Sequence, residues 1–127
     1  MLGGLAVTPM TAYAAAPLNI PANNEIDTAG LYDLSTATGN ITVTVNGVAL
    51  TGTNSVNLTV IINTGITLTL KGASITNTGG NAIWVDGAGC GLVLIGDNSA
   101  TSGPGYAGVC VQEGTPTRSL TITALAA

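Results

Sequence analysis

The chain has no histidine and no phenylalanine, and its 127 residues include only two cations, Lys71 and Arg118. Without histidine it lacks the usual general base, zinc ligand and triad member. With six carboxylates against those two cations its net charge is −4. That balance excludes nucleic acid, whose phosphates need clustered Lys and Arg. It equally excludes an anionic membrane surface as partner. Straight-chain helix formers are scarce as well. What is abundant instead is 18 Gly, 20 Thr and 11 Asn, a composition of strands and turns.

Residues 1–16, MLGGLAVTPMTAYAAA, are apolar and uncharged and end in small residues. Ala12-Tyr13-Ala14 and Ala14-Ala15-Ala16 both fit an A-x-A cleavage pattern, so this stretch reads as the back half of a secretory signal peptide. Its basic front region is missing, which puts the true start upstream or makes the sequence a fragment. The stretch is too short for a membrane span, and no other segment approaches one. Residues 17–127 then form a single domain, secreted or at a bacterial cell surface. Cys90 and Cys110 would lie in an oxidising compartment, where a disulfide between them is an open alternative to two small free thiols.

A repeated grammar organises this domain. Ile41 and Val43 precede a turn at Asn46-Gly47, and Val48 and Leu50 follow it. Val60 and Ile62, then Leu68 and Leu70, repeat the pattern. So do Ile83 and Val85 with Leu92 and Leu94, and Val109 and Val111 with Leu120 and Ile122. First strands are spaced by 19, 23 and 26 residues along the sequence. Apolar residues alternate with outward ones, the period of a half-buried strand. Matched aliphatics line up in rows, such as Val60, Ile83 and Val109, or Leu68, Leu92 and Leu120. Such rows suit an all-β, right-handed parallel β-helix of about four short coils, in which equivalent positions stack about 4.8 Å apart. The competing fold is an antiparallel β-sandwich, which needs no such rows.

With the rows pointing inward, Ile61, Trp84 and Cys110 stack on an outer face. Val93 and Ile95 form a second patch, with Thr69 and Thr121 beside Val93 and Lys71 and Thr123 beside Ile95. An apolar stripe outside the core marks something that covers it. Three occupants fit: the N-terminal aliphatics Leu18, Ile20, Ile26, Leu31, Tyr32 and Leu34 folding back; another subunit or domain; or a sugar ring stacked on the indole. Strand Leu120–Thr123 lacks a visible cap, which raises head-to-tail self-association into a filament.

The stretch Gly65–Ile122 resembles bacterial cell-surface proteins with right-handed β-helix repeats, including carbohydrate-binding domains with a polysaccharide-lyase-like fold. The resemblance is carried by GITLTLKG (65–72), GGNAI (79–83), SGPGYAG (102–108) with Val109-Cys110-Val111, Glu113-Gly114, and Leu120-Thr121-Ile122. The insertion Thr115–Ser119 departs from the pattern. The likeness implies adhesion, contact with wall polysaccharide, or a stalk, usually as one region of a larger protein. Trp84, Ile61 and Tyr106 are the residues to expect at a ligand. Lyases of similar fold use carboxylates to hold calcium and a basic residue to take a proton. The candidates are Asp86, Asp97 and Glu113, with the lone Arg118. Asp86 and Asp97 each lie beside a glycine, where Asp is favoured as a turn former, and so few carboxylates make only a weak calcium site. The expectation is a non-enzymatic extracellular adhesion or scaffold module without cofactor, its partners polysaccharide or other surface proteins. A sugar-binding module and a self-stacking filament subunit are the alternatives.

Overall fold

The computed structural model of the chain describes residues 16–114 and 117–126. Apart from Ala16, the segment read as a leader lies outside these residues, as do Thr115 and Pro116 of the insertion. The first strands are β1 (Leu18–Asn19), β2 (Glu25–Ile26) and β3 (Gly30–Asp33). A 3-10 turn at Leu34–Thr36 follows, then β4 (Ile41–Val43), β5 (Val48–Thr53) and β6 (Val60–Asn63). The rest are β7 (Thr67–Asn77), β8 (Ile83–Asp86), β9 (Cys90–Ile95), β10 (Ser99–Ser102), β11 (Val109–Val111) and β12 (Leu120–Leu125). No helix of the described residues is long and apolar enough to cross a membrane.

Alternate strands build different sheets. One sheet runs β2-β4-β6-β8-β11 and the other β1-β3-β5-β7-β9-β12, with β10 attached to β7. Every pairing among these strands is parallel. The antiparallel sandwich is therefore ruled out. Parallel neighbours cannot be joined by a tight hairpin. Here the return path runs through the other sheet, so each winding adds one strand to each, as in a β-helix or solenoid.

The inward rows are the core. Ile41, Val60, Ile83 and Val109 stand in register across the first sheet, as do Val43, Ile62, Val85 and Val111. Val48, Leu68 and Leu92 stack across the second, beside Leu50, Leu70 and Leu94. From Ile41 to Val85 these side chains are at most 2% exposed, each worth about 1.5–3 kcal/mol of burial.

The last winding corrects the expected register. Leu120 sits opposite Cys90, Ile122 opposite Leu92 and Ala124 opposite Leu94, two residues away from the expected rows. Thr121 and Thr123 therefore lie beside Gly91 and Val93. A slip of two keeps every side chain on its own face, so alternation alone cannot detect it. Ser119 sets the register. Its N–H donates to the Gly87 carbonyl, its carbonyl accepts from Cys90 N–H, and its Oγ accepts from Gly89 N–H.

Two further stretches belong to the ordered windings. The connections at 76–80 and 97–105 contribute a third side: the second half of β7, past Gly72 (φ 67°), pairs with β10 from Ser74↔Ser99 to Asn77↔Ser102. Ala73 and Ile75 on this side are buried. The N-terminal aliphatics do not fold back over the outer stripe. Ile26, Tyr32 and Leu34 are buried in one further winding made by β2 and β3, on which β1 with Leu18 stacks, and the Tyr32 hydroxyl donates to the Thr28 carbonyl at 2.7 Å.

Candidate functional site

Trp84 lies between Ile83 and Val85, both fully buried, so strand alternation turns its indole outward. Across the sheet it is flanked by Ile61 and Cys110, and all three are half-buried. A groove of about 390 Å³ opens over Ile61 and Trp84. Asn40, Thr59, Gly80 and Asn81 line it at the entries to β4, β6 and β8, and Asp86 at the exit of β8. Tyr106 completes the lining from the loop between β10 and β11.

Each polar lining group is held by the winding next to it. Asn40 Oδ1 accepts from Thr59 N–H at 2.9 Å. Thr59 Oγ1 donates to the Asn81 carbonyl at 2.7 Å and accepts from Asn77 Nδ2 at 3.0 Å. Asn81 Oδ1 accepts from Ala107 N–H at 2.8 Å. Both asparagines thus spend their oxygens on the scaffold, and their Nδ2 donors have no partner among the described residues. The Tyr106 loop is pinned at three points. Tyr106 N–H donates to the Gly103 carbonyl, Ser102 Oγ donates to the Tyr106 carbonyl, and Ala107 is tied to Asn81. Gly103 sits so close to the winding below that a Cβ there would overlap the Thr78 carbonyl. Tyr106 itself is 54% exposed.

Asp86 carries the only charge of the groove lining. Its Oδ1 pairs with Arg118 Nη2 at 3.3 Å, and the aspartate side chain is 47% exposed. Arg118 Nη1 also donates to the Glu113 carbonyl. The arginine therefore ties Glu113 to β8, and Asp86 Oδ2 has no hydrogen-bond partner among the described residues.

Three of the expected residues, Trp84, Ile61 and Tyr106, meet in this one groove. The calcium candidates do not meet: no group of three or more potential metal-binding side chains occurs among the described residues. Asp97 lies beyond β9, and Arg118 bridges Asp86 Oδ1 and the Glu113 carbonyl. Of the two cysteine alternatives the structure has the free thiols, at Cys90 and Cys110. Cys90 points inward at the start of β9, 3% exposed, its thiol donating to the Asn63 carbonyl at 3.2 Å. Cys110 faces outward on β11, beside Trp84. Sequence reasoning missed Asn40, Thr59, Gly80 and Asn81. The available signal was Asn recurring just ahead of equivalent strands, in Asn40-Ile41 and Asn81-Ala82-Ile83.

No family model matches the chain, and no curated protein or solved structure matches it.

Proposed function

We propose that the chain is a non-catalytic module of an extracellular surface, a right-handed parallel β-helix that holds a glycan in the groove over Trp84. The right hand follows from the strong chirality of parallel β-crossovers. The observation that carries the binding reading is the composition of the groove. Two aromatic side chains, two amide donors and one carboxylate acceptor line a single concavity. A sugar presents apolar ring faces ringed by hydroxyls that both donate and accept. Aromatic surface with mixed polar groups is the complement of that chemistry. The absence of histidine from the sequence and the pairing of Arg118 with Asp86 leave no evident proton-transfer pair, which favours binding over catalysis. Adhesion to polysaccharide, or a scaffold role within a surface assembly, is the setting in which such a module works.

The test is a glycan array probed with wild type and Trp84→Ala. Loss of the indole is expected to weaken binding on the order of tenfold or more, as for an aromatic anchor. Equal, null binding by both proteins would end the reading.

A second reading, self-stacking into a filament, is favoured by the winding of β10, β11 and β12. There the inward-facing Val111 and Ile122 are 41% and 54% exposed. Ile122 lines, with Leu92, Leu94 and Val109, an uncovered apolar hollow of about 130 Å³.

A further inference from the structure

The geometry points to Asp86 as the residue that selects the ligand's charge: the groove takes an uncharged glycan and rejects chains of uronic acid. This inference rests on the glycan reading above and sharpens it. The groove contains one ionised side chain, and that side chain is an anion. The molecule has two cations in its whole sequence, and neither is free to serve the groove. Arg118 is held by Asp86 Oδ1 at 3.3 Å and by the Glu113 carbonyl at 3.4 Å. Lys71 stands on the other sheet, opposite Ile95.

Recognition of a sugar carboxylate needs a guanidinium fork or a bridging cation. A uronate in this groove would have to share with Asp86 the one cation near it, Arg118. It would find no carboxylate cluster to seat a bridging calcium among the described residues. The remaining donors, Asn40 and Asn81, are neutral amides that satisfy a hydroxyl but cannot neutralise a charge. The net charge of −4 repels a polyanion even before contact.

The lining also sets the ligand's direction. Asn40, Thr59 and Asn81 lie on successive windings, and windings are about 4.8 Å apart. That step is close to the length of one pyranose ring. A linear glycan therefore lies along the solenoid axis, across the strands, with one ring over Trp84 and its hydroxyls within reach of Asp86 Oδ2. Arg118 acts as a positioning residue that fixes the carboxylate from the opposite side.

The experiment is calorimetric titration of the whole chain with soluble neutral polysaccharides (glucomannan, xyloglucan, galactan) and with polygalacturonate and alginate. Wild type and Asp86→Asn are compared at low and at physiological salt, with circular dichroism reporting the fold of the variant. At least one neutral polymer is expected to bind wild type about tenfold or more tightly than either uronate at low salt, since like charges facing each other suppress the wrong partner. The gap should narrow in Asp86→Asn and as salt screens the groove. Wild type binding a uronate as tightly as any neutral polymer, with loss in Trp84→Ala, overturns the charge selection and leaves the glycan reading standing. An unchanged preference in Asp86→Asn likewise removes Asp86 from the role. Binding to none of these polymers removes both.

Discussion

At the scale of single residues, the position of Trp84 was legible and its company was not. Alternation with Ile83 and Val85 is a local signal, sufficient to turn the indole outward. The approach of Asn40, Thr59 and Asn81 depends on which residue of one winding lies over which of the next, and that register is not local. The same limit applied to the cysteines. Both are near the β8–β9 corner, yet one faces the core and the other the outer surface. Their chemistry should divide accordingly. An aromatic disulfide reagent is expected to label Cys110 rapidly in the native protein. Cys90 should react only as the fold opens, at a rate reduced by the opening equilibrium. Equal labelling rates without denaturant would contradict the burial of Cys90. Gly103 supplies a second test at this scale. The Cβ of Gly103→Ala would overlap the Thr78 carbonyl, so the Tyr106 loop must lift. A loss of about 1–3 kcal/mol in denaturant unfolding is expected for such overpacking, together with weakened glycan binding through the displaced tyrosine.

At the scale of elements, strands were easier to find than the interactions that tie them together. Aliphatic rows located β4 to β9, β11 and β12, while β1 to β3 escaped notice. In that first winding Gly30 occupies the position of Val48 and only Tyr32 matches Leu50, so the row pattern is half missing. The second half of β7 escaped for another reason: Thr76 and Asn77 are polar and carry no aliphatic row. Asn77 is in fact 9% exposed and serves as a clasp. Its Nδ2 donates to Thr59 Oγ1 and to the Asn81 carbonyl, and its Oδ1 accepts from Gly79 N–H. Asn77→Ala strips those groups of their partners beneath the groove. The expected cost is about 1–3 kcal/mol, the penalty of leaving buried polar groups unpaired. Chemical denaturation of the variant checks it, and a shift within about 0.5 kcal/mol of wild type would mean that water replaces the clasp.

At the scale of the whole molecule, the solenoid is tightly closed around its middle windings and open at one face. Val60, Ile62, Leu68 and Ile83 are fully buried, whereas Ile122, facing the same interior one winding further on, is 54% exposed. The difference is geometric. A residue in a middle winding is covered from both sides along the axis, while no described residue covers the face formed by β10, β11 and β12. Free strand edges beside exposed aliphatics are a template for further parallel pairing. If a second copy supplies the cover, the contact joins unlike faces and repeats without closing, so assembly continues to a fibre. Light scattering over a range of protein concentrations should then give a mass that rises with concentration. The paired change Val111→Lys and Ile122→Lys puts charge on the edge, a standard means of blocking strand addition. It should hold the mass at that of a single chain while leaving Trp84 and its groove on the outer face untouched. A wild-type mass that stays at one chain throughout excludes self-stacking. Glycan affinity that nevertheless persists would then assign the molecule's interactions to the groove alone.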